Sequence, residues 1–253
     1  MERANVLGVG IHAVDIAVAA DHIECALTTR TKGYVCVTGV HGIMEAQNDP
    51  EFRSILNESM LTVPDGMPTV WVGKLQGFKS IQRVFGPDLM WEICRRSAQK
   101  GYTHFLYGGA PGVAQELRDV LLANFPGIEI VGTYTPPFRP PTASEFLGLK
   151  EEIARLKPDL FWVGLSTPKQ ERFMANHGCE LAASVMIGVG AAFDIHTGRL
   201  RDAPGWMKRW GLQWMHRLLQ EPRRLWKRYL LNNPRFLWNI TLQVLGAKSY
   251  GSI

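Results

Sequence analysis

Short runs of Val, Ile, Leu and aromatic residues recur from the start of the chain to residue 189, and the segments between them carry apolar positions at helical spacing. That alternation implies a mostly parallel sheet sandwiched by helices, an α/β architecture. The pattern is sharpest over residues 35–75. Apolar runs at 34–37 and 60–63 flank a helix-like segment, so the unit reads as strand, helix, strand. A right-handed crossover brings the carboxyl ends of both strands to one edge of the sheet, and those ends carry Thr38 and Asp65. Ligands of open α/β sheets bind along that edge, so a hydroxyl and a carboxylate can face one pocket. The competing reading is local: Asp65 caps the helix that Met67-Pro68 opens, and Thr38 is an ordinary strand residue.

The remaining elements follow the same rhythm. Residues 5–11 read as a first buried strand and 14–29 as a helix. Residues 68–75 form a helix, 77–87 a polar connection containing Arg83, and a helix runs from Pro87 to about residue 100. A strand at 103–107 meets the turn Gly108-Gly109-Ala110-Pro111-Gly112 and a helix at 113–124. Glycine there lets backbone amides approach a phosphate or sugar, although any tight strand-to-helix turn also favours it. After a strand at 128–131, the stretch TYTPPFRPP must be irregular. A helix at 143–156 precedes DLFWVG at 159–164, whose unbroken apolar run suits a strand covered on both faces. The turn LSTPKQE carries Gln170 at the same sheet edge, and a last strand at 185–189 leads to Asp194. GVGAAF has the glycines of a dinucleotide fingerprint, but Phe193 stands where a small residue is needed and no acidic partner follows on a next strand, so NAD is rejected as a cofactor.

Of 253 residues, 46% are hydrophobic, which is ample for a folded core and rules out a disordered chain. The four cysteines lack CxxC spacing and a local His partner, so they read as buried free thiols of a reducing compartment. The amino terminus, broken by His12 and Asp15, lacks the pattern of a secretion signal, and no run approaches the ~18 apolar residues of a spanning helix. No Asp-X-Asp pair suited to holding a divalent ion against a diphosphate occurs, so neither a metal nor another cofactor is expected.

Charge divides the chain at about residue 198. Residues 1–198 hold 17 Lys and Arg against 21 Asp and Glu, whereas residues 199–253 hold 11 against 2, together with five of the eight tryptophans. Residues 1–198 therefore read as the body and 199–253 as a helical, basic and aromatic appendage. Two or three short helices are expected in it, interrupted at Pro222 and Pro234. Trp206, Trp210, Trp214 and Leu218 recur at four-residue spacing, and Arg217, Arg224 and Arg228 fall on another stripe. Such a tail suits an anionic membrane surface, packing on the body, or recognition of a diphosphate by planar guanidinium forks. Nucleic acid ranks last because no helix-turn-helix, RNP or finger pattern accompanies the charge. Apolar tail surface also leaves a homo-oligomer open.

Taken in order, VTGVHG, LTVPDGMPTVW, QRVFGPDL, LYGGAPGV, PDLFWVGLSTPKQE and the stretch from GVGAAFDIHTGRL to WKRYL resemble the WecG/TagA/CpsF glycosyltransferases (family 26) over nearly the whole chain. The resemblance implies a Rossmann-like bacterial enzyme at the inner, cytoplasmic face of the cell membrane, where it acts as a peripheral protein in polysaccharide assembly. It would transfer a hexose-type sugar from a UDP-sugar to a polyprenyl-diphosphate-linked saccharide, inverting the anomeric centre without a metal. On that basis Asp65 is the expected base, with Thr38 and Arg83 beside it. Gly108, Gly109, Gln170, Asp194, Arg217, Arg224 and Arg228 are the expected substrate contacts. Many members have Asn two residues after the Thr, whereas Val40 stands here, which opens the donor sugar and an alternative role as a weakened UDP-sugar-binding or scaffold subunit. A nucleotide-sugar dehydrogenase or epimerase is disfavoured by the missing dinucleotide fingerprint.

Overall fold

In a computed structural model that describes residues 1–251, eight strands alternate with twelve helices. The chain begins with β1 (Arg3–Val6), β2 (Val9–His12) and α1 (Ile16–Thr28). Then come β3 (Gly33–Thr38), α2 (Val40–Asn48), α3 (Pro50–Glu58), β4 (Leu61–Pro64) and α4 (Met67–Leu75). Helix α5 (Gly86–Lys100) precedes β5 (Thr103–Gly108), α6 (Val113–Asn124), β6 (Glu129–Tyr134) and α7 (Ala143–Leu156). The body closes with β7 (Leu160–Gly164), α8 (Lys169–His177), β8 (Val185–Gly188) and α9 (Ala192–His196). The basic segment forms α10 (Gly205–Arg209), α11 (Gln213–Gln220) and α12 (Pro222–Val244).

Six strands make a parallel sheet in the order β4-β3-β8-β7-β5-β6, the parallel sheet expected from the alternation and the Rossmann-like arrangement that the resemblance implies. Two compact units divide the chain, and each is discontinuous in sequence. Residues 1–15, 37–85 and the chain from 201 onward form the first; residues 16–36 and 86–200 form the second.

In the second unit, β7 is buried along its apolar run, with Phe161 and Trp162 fully covered. Aromatic rings stack between β5 and β7, Phe105 on Phe161 at 5.2 Å between centroids, and between β5 and α8, Tyr107 on Phe173 at 4.6 Å. Burying each such side chain contributes about 1.5–3 kcal/mol, so this layer is the unit's main source of stability. Helix α7 starts at a capping box in which Thr142 and Glu145 satisfy each other's backbone amides.

The first unit departs from three expectations. Residues 5–11 are not one strand of the main sheet but span most of an antiparallel hairpin, β1 with β2. Leu7 and Gly8 both have positive φ (54° and 82°), the geometry of a tight hairpin turn, so the apolar run folds back on itself. The segment between β3 and β4 is two helices rather than one, because Asp49 caps α3 by accepting from the Phe52 amide and Pro50 enters its first turn. Pro234 does not end a helix: α12 runs through it for 23 residues. Leu225, Phe236 and Ile240 lie at helical spacing and are buried, so tertiary packing outweighs the backbone bond that proline removes. Among the described residues, no helix is long and apolar enough to cross a membrane.

His104 sits in the core of the second unit, where its Nδ1 accepts from the Trp162 indole N–H at 2.8 Å. Burial pulls its pKa down to about 4, with Asp159 opposing the shift. The unfolded chain, with histidine near 6.5, takes up this proton first, so the contribution is complete above pH 6.5 and is lost as pH falls toward 4. Urea unfolding across that range should show the wild type losing roughly 3 kcal/mol relative to His104→Gln; parallel pH curves for the two would remove His104 from the acid response.

Candidate active site

Strands β3 and β4 end at the first unit's principal carboxylate. The Asp65 amide donates to the Thr38 carbonyl at 3.1 Å, which ties the residue after β4 to the last residue of β3. Asp65 is half-buried and immediately precedes Gly66, which holds the N-cap position of α4. The local reading in which Asp65 is itself that cap therefore does not describe this turn. Gly39 lies against the carboxylate, since a Cβ built there would be 3.6 Å from Asp65 Oδ2. Thr38 is buried, and its hydroxyl has no hydrogen-bond partner among the described residues.

Arg83 acts on the backbone of this turn. Its Nε donates to the Asp65 carbonyl at 2.9 Å, its Nη2 donates to Gln213 Oε1, and its guanidinium stacks 4.2 Å above the Phe85 ring. Three contacts on one planar group hold it in a single orientation. Arg83 thus links the Asp65 loop to α11, a role that spacing does not suggest because Gln213 is remote in sequence.

Arg217, Arg224 and Arg228 of the basic segment belong to the same unit. Arg217 and Arg224 both donate to Glu221, and Arg228 lies within Coulomb range of Asp65. Burial lowers the Arg228 pKa from its ordinary value; Arg217 and Arg224 add to that, while Tyr229 and Asp65 oppose it. Nε of Arg217 and Nε of Arg228 are buried without hydrogen-bond partners among the described residues. Three guanidiniums against two carboxylates, Glu221 and Asp65, leave an excess of positive charge and unmet donors, and an anion with several oxygens relieves both. His41 of α2 meets Asn232 of α12 at 3.3 Å, a further contact of the basic segment.

The second unit holds the other residues singled out from sequence. Gly108 (φ 134°) and Gly109 (φ 74°) do sit at the end of β5, but the cause of their glycine character is internal. A Cβ on Gly108 would lie 2.5 Å from the Gly164 carbonyl oxygen, and the Gly109 amide already donates to that oxygen at 3.0 Å. Close approach of β5 to β7 therefore accounts for Gly108, whereas a Cβ on Gly109 would lie 2.8 Å from Cβ of Val113 at the start of α6. Gln170 is buried and used at both ends: its Oε1 accepts from the Gly190 amide at 2.9 Å, and its Nε2 donates to Glu171 Oε1 at 3.0 Å. It fixes the turn after β8, and Thr167, which also donates to Glu171, completes that cluster. Asp194 is half-buried on α9 and helps hold Arg199 charged, after the direct Arg199–Glu116 pair.

The glycine geometry yields a contrast. Gly108→Ala should lower unfolding free energy by about 2–4 kcal/mol through overpacking together with backbone strain, whereas Gly112→Ala, also at positive φ but with open space around its Cβ, should cost only about 1 kcal/mol. Equal losses in denaturant unfolding would mean that contact with β7 is not what requires glycine at 108.

Sequence relationships point the same way as this geometry. A family model described as the Glycosyl transferase WecG/TagA/CpsF family matches residues 4–250. An N-acetylglucosaminyldiphosphoundecaprenol N-acetyl-beta-D-mannosaminyltransferase of Bacillus spizizenii is 33% identical over 208 residues, covering 82% of this chain and 79% of the relative. A protein of the same name from Bacillus subtilis is 31% identical over 183 residues, covering 72% and 69%. With the match spanning β1 through the basic segment, the chain belongs to the WecG/TagA/CpsF family of glycosyltransferases.

Proposed function

We propose that this protein transfers a hexose-type sugar from a UDP-sugar to a polyprenyl-diphosphate-linked saccharide, with inversion and without a divalent ion, at the inner face of a bacterial cell membrane. The observation that carries the reading is a half-buried carboxylate, Asp65, beside a cationic cluster with unmet donors. In an inverting transfer the acceptor hydroxyl attacks the anomeric carbon in line as UDP leaves. Asp65 takes the hydroxyl proton, and the guanidiniums of Arg217, Arg224 and Arg228 stabilise diphosphate charge. Arg83 positions the Asp65 loop. Thr38 completes the Asp65 turn. The relatives' names make an N-acetylmannosaminyl donor and an N-acetylglucosaminyl-diphosphopolyprenol acceptor the first pair to assay. Val40, where many members have Asn, keeps a weakened UDP-sugar-binding or scaffold subunit as the second reading; UDP release on adding acceptor separates the two.

Asp65→Asn should reduce turnover by roughly a hundredfold or more while leaving UDP affinity nearly intact. Normal turnover in that variant would remove the base assignment.

Membrane attachment is assigned to the aromatic face of the basic segment, where Trp206 and Trp210 are exposed. Deleting the segment is a poor test, because Leu225, Phe236 and Ile240 belong to the core of the first unit. Trp206→Ala combined with Trp210→Ala should instead weaken sedimentation with anionic vesicles and depress activity on long-chain lipid acceptor more than on a short-chain soluble one. Unchanged sedimentation would mean that these rings serve another purpose.

A further inference from the structure

The first unit contains a cavity of about 450 Å³ that the proposed reaction does not use. Its walls come from the end of α2 (Asn48), from α3 (Arg53), from α12 (Arg235 and Trp238) and from the residues after it (Lys248 and Tyr250). Three of these are cations, and among the described residues no carboxylate lines the cavity. Among the described residues, none of the three cations has an acidic partner. Arg53 spends only its Nε, on the Ala46 carbonyl at 3.0 Å, and Lys248 Nζ lies 5.0 Å from the centroid of the Tyr250 ring. The Tyr250 hydroxyl is itself buried without a hydrogen-bond partner among the described residues. Converging cations without counter-charge repel one another, and a phosphate oxygen cluster is the anion that guanidinium forks fit best.

The cavity is wider than one phosphate needs, and Asn48 is among the side chains that can hydrogen-bond hydroxyls around it. Its surroundings decide the source of the anion. Leu237, Trp238, Val244 and Leu245 are exposed on and just beyond the same helix, where a free phosphate or nucleotide would leave them in water. Acyl chains would cover them. We infer that this cavity is a headgroup site for an anionic phospholipid, with Arg53, Arg235 and Lys248 holding the phosphodiester and Trp238 lying at headgroup depth. The lipid source rests on the proposed membrane attachment, whereas recognition of a phosphodiester does not. A lipid held at Arg235 would also set the depth of α12, which carries Arg224 and Arg228 on its first turns.

The test uses the full chain and phosphatidylcholine vesicles with and without phosphatidylglycerol. Arg235→Gln with Lys248→Gln is compared with Arg223→Gln and Lys227→Gln, which removes the same charge from exposed positions of α12 outside the cavity. Both pairs should lose general attraction to the anionic surface, and the cavity pair should lose about tenfold more affinity for phosphatidylglycerol vesicles than the control pair. Equal losses overturn the site. Titration with soluble glycerophosphoglycerol and with inorganic phosphate separates the sources: wild-type preference for the headgroup supports a lipid, and equal binding of inorganic phosphate overturns that assignment. Transfer to a short-chain soluble acceptor is measured alongside. If transfer is absent but the tenfold difference holds, the reaction proposed above fails and the headgroup site stands; if transfer persists and the difference vanishes, the headgroup site alone fails.

Discussion

The hairpin turn at Leu7-Gly8 leaves backbone groups that remote segments satisfy, the far end of the chain among them. Gln243 of α12 accepts from the Leu7 amide at 3.0 Å and donates to the Asn5 carbonyl at 2.8 Å. Asn5 in turn donates to the carbonyls of Tyr250 and Gly251, and Gln47 of α2 donates to the Leu7 carbonyl at 2.8 Å. Buried backbone groups left unpaired would each cost about 1–3 kcal/mol, so the basic segment is structural in the first unit as well as cationic. Phe236 and Ile240, buried on the same helix, extend this dependence from hydrogen bonds to apolar packing.

Because α12 is held in this way, its arginines have defined neighbours. A flexible basic tail would offer charge alone; here Arg217 and Arg224 share Glu221, and Arg228 is drawn toward Asp65 while losing hydration. Such an arrangement has an energetic cost that a bound anion offsets, which is why it reads as a site rather than as a solvated face. Arg83 adds the mechanical link: by holding the Asp65 carbonyl and Gln213 together, it makes the position of the carboxylate depend on the docking of α11.

Several features were legible because they rest on local rules. The unbroken apolar run of β7 and the helix limits of α7 are each decided by side chains within a few residues. Pro234 and the run at 5–11 were misread for the complementary reason. A proline's cost is outweighed by the burial of Phe236 and Ile240, and a turn at Leu7 is held by Gln47 and Gln243, partners that no window around it contains. The glycine at 108 was visible, but its cause, the Gly164 carbonyl on a neighbouring strand, was not.

From its residues alone, then, this chain reveals an α/β sheet, a charge-divided carboxyl-terminal segment and a set of polar residues at strand ends, since propensity, periodicity and spacing are properties of neighbours along the chain. Tertiary structure decided which of those residues meet. It set Arg83 on a backbone carbonyl, brought Arg228 near Asp65, used both ends of Gln170 to hold the Gly190 turn, and buried the Thr38 hydroxyl. Those outcomes depend on packing between segments separated by most of the sequence, and such contacts are determined only when the whole chain has closed on its cores.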